Sequence, residues 1–280
     1  MYQVIITILA YLIDKRFGEF NFIKHPIILI GSLITFFEKR FYKDSILRGT
    51  FLVLFMVLVV GSVTIIFNSF LLLLPTPLYI IFISVIASMF IAHKMLKDAV
   101  HDVLVAKDKR ASIAMLVSRD TKDMSESDVY KACIETYAEN LSDGVIAPLF
   151  FLLFFGLEGL VLYKTINTLD SMVGYRTSKY ENYGKASAIV DDILNFIPSR
   201  ITALLIMFFG KQKSLFSFYE DGKKHDSPNA GHPITAMALV LGVRLGGNTS
   251  YFGKIKEKPY FGVGRKKIIL EDVSQGLRVL

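Results

Sequence analysis

The sequence contains one cysteine, Cys133, in 280 residues, which excludes an intramolecular disulfide and leaves no thiolate spacing for a metal. A lone thiol of this kind usually serves as a small buried core residue. Neither GxxxxGK[ST] nor GxGxxG occurs, so any nucleotide site is built without a P-loop or a dinucleotide fingerprint. A serine nucleophile elbow, a catalytic Cys–His pair and a zinc motif are also missing. No internal repeat, low-complexity tract or interdomain linker interrupts the chain, and a single domain over 1–280 is expected. The apolar start, Met1 to Ile13, lacks a basic leader and a small-x-small cleavage site, so no cleavable signal is expected. The net charge is +7, yet the basic residues border apolar blocks instead of forming a stripe. Nucleic acid is therefore not an expected partner; anionic lipid and cytoplasmic loop bias account for the charge.

Long apolar runs dominate. Hydrophobic residues make up 52% of the chain and the mean hydropathy is +0.46, above the norm for soluble domains. The expected fold class is all-α: a polytopic integral membrane protein with interfacial and re-entrant helices. Gly49 to Leu74 has no charged residue, Pro75-Thr76-Pro77 supplies a turn, and Leu78 to Ala92 returns, giving a transmembrane hairpin over 49–92. Lys and Arg crowd both flanks and are absent from the turn, which puts the flanks in the cytoplasm. Met1 to Ile13 is short for a span. After His25-Pro26, an amphipathic run places Ile27, Ile30, Leu33, Ile34 and Phe37 on one face, the pattern of an interfacial helix.

Residues 94–143 read as cytoplasmic helices, with Ser125 and Asp128 spaced as a capping box. His93, Lys97 and His101 share a face that is expected to be solvated rather than metal-binding. Gly144, Gly156 and Gly159 break the next apolar block. Glu158 inside it would cost roughly 2.5–3.5 kcal/mol in a span. Two short re-entrant or interfacial pieces are therefore expected there. Segments 164–192 and 211–280 are expected to be polar and to face the cytoplasm. Pro233 suits the start of a helix ending near Gly246-Gly247, and Lys254 to Leu280 suits a loop and a short helix.

Three polar clusters stand at the ends of apolar segments. In the first, Glu135, Glu139 and Asp143 recur at i, i+4 and i+8, a ladder that suits either a solvated face or a metal. In the second, Asn167, Asp170, Ser171 and Gly174 share a helical face, and Asp191 and Asp192 follow. These carboxylates and amides are oxygen donors, which suit magnesium. The third, Lys223 to Gly231, offers Lys224, His225 and Asn229, which with Arg176 and Arg200 suit phosphate oxygens. Gly262-Val263-Gly264-Arg265 reads as a plain turn before an anion nest. A phosphate-handling enzyme, a transporter and a non-catalytic signalling partner all remain open. The contrast between two clean spans early and polar clusters late favours the enzyme over a paired-repeat transporter.

Four stretches carry a more specific signal: ETYAENLSDGVIAPLF from Glu135, NTLDSMVGYR from Asn167, DDILNFIPSRITALL from Asp191 and SPNAGHPITAMALVLGVRLGG from Ser227. Together with KPYFGVGR from Lys258 they resemble the adenosylcobinamide-phosphate synthase family of cobalamin biosynthesis, the CobD/CbiB proteins. The departures are Gly18-Glu19-Phe20, where the family usually has Gly-Asp-Pro, and His232, where an aromatic is common.

The resemblance implies ATP- and magnesium-dependent ligation of adenosylcobyric acid, a corrinoid, to an amino-alcohol phosphate such as 1-amino-2-propanol O-phosphate. It implies a cytoplasmic-membrane location with the site facing the cytoplasm, and partners drawn from a second copy or later pathway enzymes. Asp143, Asp170, Asp191 and Asp192 are the implied magnesium ligands, with Glu139 sharing that work. Asp170, Asp143, Glu139 and His225 are the implied catalytic groups, a carboxylate or His225 taking the amine proton. Arg176, Arg200 and Lys224 would meet phosphates, while Asn140, Asn167 and Asn229 orient substrate. These groups are expected to converge on one pocket. The alternatives are a relative that has lost the ligase and a corrinoid transporter.

Overall fold

The computed structural model describes residues 2–20, 24–174, 177, 179–251 and 253–280. Its early helices are α1 (Tyr2–Phe17), α2 (Pro26–Phe41), α3 (Ile46–Leu71), α4 (Thr76–Ser88), α5 (His93–Val105) and α6 (Lys109–Ile113). Then come α7 (Glu126–Leu141), a π turn (Ser142–Ile146), α8 (Ala147–Val173) and α9 (Lys185–Phe209). Last are α10 (Tyr219–Gly222), α11 (Gly231–Leu241), four short strands and α12 (Leu270–Gly276). Four helical stretches are long and apolar enough to cross a bilayer: Ile46–Leu71, Thr76–Val105, Glu126–Val173 and Lys185–Phe209. The protein is an all-α membrane protein.

The chain packs as two compact units, each built from two separated segments: 1–94 with 147–195, and 95–146 with 196–280. Each boundary falls within or at the end of a helix, so no linker composition marks it.

In the first unit, α3 and α4 are joined through the Pro75 turn, α3 packing on α8 and α4 on α1. The 26 residues of α3 rise about 39 Å, more than the hydrocarbon thickness. Leu58, Val63, Ile66 and Phe70 on α3 are exposed, as lipid-facing residues should be. The amphipathic stripe of α2 is realised, with Ile30, Ile34 and Phe37 buried. Pro26 opens that helix, where its missing N–H costs nothing, and His25 Nδ1 accepts the Ile27 N–H at 3.3 Å.

The glycine-broken block is indeed interrupted. Within α8, Gly156 has φ 69° and ψ −161°, a conformation open to glycine, and two helical pieces meet there. Glu158 does not stand alone in this apolar setting. Asn68 Nδ2 on α3 donates to its Oε1 at 2.6 Å, and the Tyr79 hydroxyl on α4 donates to Asn68 Oδ1 at 3.3 Å. His93 corrects the expected solvated face: it is buried, stacks on Tyr11 at 5.5 Å, and its backbone N–H donates to Asp14 at 3.0 Å.

The second unit is organised by α7, whose Ala132, Cys133, Ile134, Tyr137, Ala138 and Leu141 are buried. It packs on α6, α11 and α12. The capping box forms as the spacing implied, Ser125 Oγ accepting the Asp128 N–H while Asp128 accepts the Ser125 N–H. Helix α11 ends at Gly242 in the left-handed region rather than at Gly246-Gly247. Those later glycines, at φ 76° and 79°, instead shape a strand pair. β1 (Leu245–Gly246) pairs antiparallel with β4 (Tyr260–Phe261), and β2 (Thr249–Tyr251) with β3 (Lys254–Lys256). The tail therefore holds two small ladders before its helix, where a loop was expected. Periodicity cannot reveal strands of two or three residues.

Candidate functional site

Polar side chains gather in each unit, and each gathering rests on a helix face. In the first unit, α8 presents Tyr163, Lys164, Asn167 and Asp170, and α9 presents Asp191, Asp192 and Asn195. Their hydrogen bonds form one chain. Lys164 Nζ donates to Asn167 Oδ1 at 3.0 Å, and Asn167 Nδ2 donates to Asp191 Oδ1 at 3.3 Å. Asn195 Nδ2 donates to Asp191 Oδ2 at 3.1 Å, and the Tyr163 hydroxyl donates to Asn195 Oδ1 at 2.9 Å. Both oxygens of buried Asp191 thus accept an amide N–H, which makes Asp191 the hub that fixes two asparagines. Asp170 and Asp192 are half-buried on the same two helices. A Cβ on Gly174 would lie 2.0 Å from Asp170 Oδ1, so the glycine that follows α8 leaves room for that carboxylate. Arg176 lies outside the described residues.

In the second unit the acid ladder of α7 splits by role. Glu135 is buried, 2.7 Å from Arg119 Nη2, and its other oxygen accepts the Gly246 N–H at 2.6 Å. It is neither solvated nor turned to a metal: a buried cation and a backbone donor neutralise it. One turn on, Glu139 is exposed and still feels the Arg119 charge. Burial acts against the Arg119 charge, but Glu135, Tyr251 and Glu139 together raise its pKa above the ordinary value. Asn140 is exposed, its amide donating back to the Thr136 carbonyl at 2.9 Å. Asp143 sits half-buried in the π turn, a local widening often found at functional positions.

The loop before α11 completes this gathering. The Ser227 N–H donates to His225 Nδ1 at 3.0 Å, and Ser227 Oγ accepts the Asn229 and Ala230 N–H groups at 3.2 and 3.3 Å. Burial, then the nearby Lys258 charge, lower the His225 pKa, so the ring is neutral at pH 7. With Nδ1 accepting, its proton sits on Nε2. The ring is a donor there, which argues against His225 as the base for the amine. Lys258 Nζ itself donates to the Tyr251 hydroxyl at 2.6 Å.

Arg200 also takes a different part from the one expected. Its guanidinium lies 3.7 Å over Phe196 and donates to Asn229 Oδ1 at 2.9 Å, Ser199 Oγ at 3.0 Å and the Pro228 carbonyl at 3.0 Å. It clamps the 227–229 loop to α9, with few donors left for a phosphate. Lys224 is exposed and pairs with Asp221 at 2.6 Å, an ion pair weak enough for a ligand to displace.

The structure thus brings Asn167 together with Asp191, and Arg200 with Asn229. Glu139 and Asp143 lie in the second unit, while Asp170, Asp191 and Asp192 lie in the first. Among the described residues no three His, Cys, Asp or Glu side chains form a group able to hold a metal ion, so no preformed acid cage exists. Lys164, Tyr163 and Asn195 in one unit, and Arg119, Tyr251 and Lys258 in the other, were not singled out from the sequence. For Lys164 the signal was available, since it shares the Asn167–Ser171 face at helical spacing. Arg119 and Lys258 reach the Glu135 group only through loops, which carry no periodicity.

Comparison with known proteins gives these residues a context. A 35% identical relative from Halalkalibacterium halodurans, named cobalamin biosynthesis protein CobD, aligns over 99% of this chain and 92% of its own length. The protein of the same name from Clostridium perfringens is 38% identical over 98% of this chain and 92% of its own length. A probable cobalamin biosynthesis protein CobD from Pyrococcus furiosus is 38% identical over 97% and 91%. No solved structure gives a significant match. With the CobD/Cbib protein family profile matched over residues 7–280, from the first helix to the last residue, the chain belongs to the CobD/Cbib family.

Proposed function

We propose that the protein acts in cobalamin biosynthesis as an ATP-dependent ligase, joining adenosylcobyric acid to an amino-alcohol phosphate such as 1-amino-2-propanol O-phosphate. Family membership over nearly the whole chain carries this reading. Amide formation from a carboxylate needs an activated acid. Transfer of the ATP γ-phosphate to the corrinoid carboxylate would give an acyl phosphate, which the amine attacks with loss of phosphate.

The side chains support such chemistry in distinct ways. Magnesium ordinarily takes one or two carboxylates and completes its shell with phosphate and water, so it does not require the three-acid group that is missing among the described residues. Asp170 and Asp192, half-buried on α8 and α9, are the acids proposed to hold it, while both oxygens of Asp191 orient Asn167 and Asn195. When bound, the metal would screen the charge on phosphate oxygens. Within the second unit taken by itself, Glu139 suits a proton acceptor, and neutral His225 suits a hydrogen bond donated from Nε2 to an anionic oxygen. A cytoplasmic-membrane location with the site facing the cytoplasm agrees with the cation-rich flanks of the α3–α4 hairpin.

A transport reading loses its main support, since Glu158 and Arg200 are engaged with Asn68 and with the 227–229 loop. The test is reconstitution of the purified protein with defined substrates. ATP consumption should require both cobyric acid and the amino-alcohol phosphate, with the amide product seen by mass spectrometry. ATP use indifferent to either substrate, or no amide product, would sink the reading.

A further inference from the structure

On the second unit, the segment from Lys107 through α6 and the start of α7 encloses a cleft of about 920 Å³. That volume lies within the range of small-molecule sites, about 300–1,000 Å³. Lys107, Lys109, Arg110 and Lys122 line it against two acids, Asp108 and Glu126. Both acids are already engaged. Asp108 caps α6 by accepting the Ala111 N–H at 3.0 Å, and Glu126 accepts from Lys109 Nζ at 2.7 Å and the Tyr130 hydroxyl at 2.6 Å.

The cations divide accordingly. Lys109 is fixed between Glu126 and Tyr130, its ammonium also 5.0 Å over the Tyr130 ring. Arg110 Nη1 donates to the Lys122 carbonyl at 3.0 Å, tying one side of the cleft to the other. Among the described residues, Lys107 and Lys122 have no carboxylate partner. The cleft therefore has a cationic excess, a positioned guanidinium and an apolar floor of Ala111, Ala114 and Val129. Thr121, a buried residue, contributes a hydroxyl-bearing side chain to its wall. Glu126 and Glu135 are nine residues apart on α7, about 14 Å of helix, so this is a different place from the Arg119–Glu135 group.

We propose that this cleft binds a phosphate-bearing anion, with Lys107 and Lys122 supplying charge, Arg110 the planar fork and Thr121 a neutral donor. Carboxylates already satisfied by the protein do not compete for these cations, and a guanidinium matches phosphate oxygens in pairs. The phosphate group has two possible sources: a soluble phosphorylated small molecule, or the headgroup of an anionic lipid. The proposal does not rest on the ligase reading, because its readout is binding.

The test uses the full chain in nanodiscs of phosphatidylcholine alone, titrated with tripolyphosphate by calorimetry. Wild type should bind, more weakly as salt is raised, and a Lys107→Ala/Lys122→Ala variant should bind at least about tenfold more weakly at an unchanged unfolding temperature. The titration is repeated with phosphatidylglycerol in the disc. Apparent affinity that falls in wild type, but not in the variant, identifies the lipid headgroup as the natural occupant. Affinity that the lipid leaves unchanged identifies a soluble phosphate compound. Equal affinity in wild type and variant, or no binding of tripolyphosphate in phosphatidylcholine discs, overturns the proposal.

Discussion

Arg119 Nη2 lies 2.7 Å from Glu135 Oε2, and both side chains are nearly withdrawn from solvent, 13% and 7% exposed. Removing one member of such a pair strands the other charge, at about 3–5 kcal/mol. Arg119→Met should therefore lower unfolding stability by that order. Adding Glu135→Gln should recover part of the loss, because the amide oxygen still accepts the Gly246 N–H while the orphan charge is gone. Denaturant titrations of the two variants in detergent decide it; equal stability of the single and double variants would contradict the pairing.

His225 gives a prediction in pH. Its folded pKa lies below the ordinary 6.5, chiefly through burial and then through Lys258. The unfolded chain thus binds more protons as pH falls below 6.5, and stability is lost in that direction. Above 6.5 the contribution of the neutral ring is complete. His225→Asn keeps an oxygen for the Ser227 N–H, as in an Asx turn, and removes the titration. Its unfolding temperature should decline less than that of wild type between pH 6.5 and more acidic values. Parallel declines would show that the ring does not titrate as described.

The first unit separates a structural hub, Asp191, from an acid proposed to hold metal, Asp170. Asp191→Ala leaves the Asn167 and Asn195 amides without their acceptor, a loss of roughly 1–3 kcal/mol for buried Asn195 and less for half-buried Asn167. Asp170→Ala should abolish ligase turnover while the protein remains folded in the membrane. The two variants are compared by thermal unfolding and by product formation. Full activity in Asp170→Ala would remove that residue from the magnesium-binding proposal.

His232 is fully buried, stacked on Tyr219 at 5.3 Å, and neither ring nitrogen has a hydrogen-bond partner among the described residues. Burial, then Arg200 and Lys223, lower its pKa to about 4. Unfolding therefore takes up a proton between pH 6.5 and about 4, and stability falls as pH falls through that window. His232→Phe keeps the stacked ring and removes both unpaired nitrogens. It should be neutral or stabilising at pH 7, with an advantage growing by roughly 1–3 kcal/mol toward pH 4, read from unfolding midpoints across pH.

The legibility of this fold follows from the range of the forces involved. The helices α3 and α4, the α2 stripe and the Ser125–Asp128 capping box are local patterns, and each formed where periodicity or spacing placed it. The stop at Gly242 and the ladders of the tail depended on which of several glycines adopted positive φ, which neighbours decide. Most of the polar residues expected in a site do lie at helix ends or in the loop before α11. Their partners were less legible. The Arg119–Glu135 pair bridges a loop and a helix, and the Arg200 clamp depends on where the 227–229 carbonyl and amide groups come to rest. The two-unit division left no compositional trace, because the chain passes between units at or within helices.

The bond from Asn68 to Glu158 has a consequence for how the protein is made. Asn68 and Tyr79 leave the ribosome some eighty to ninety residues ahead of the acid they serve. Their hairpin can therefore be lodged in lipid before Glu158 is synthesised, and the carboxylate enters a bilayer that already holds its donor. A chain whose first hairpin fails to insert would present that acid to bare hydrocarbon. Membrane quality control would meet the fault at the second half of the molecule, although its origin lay in the first.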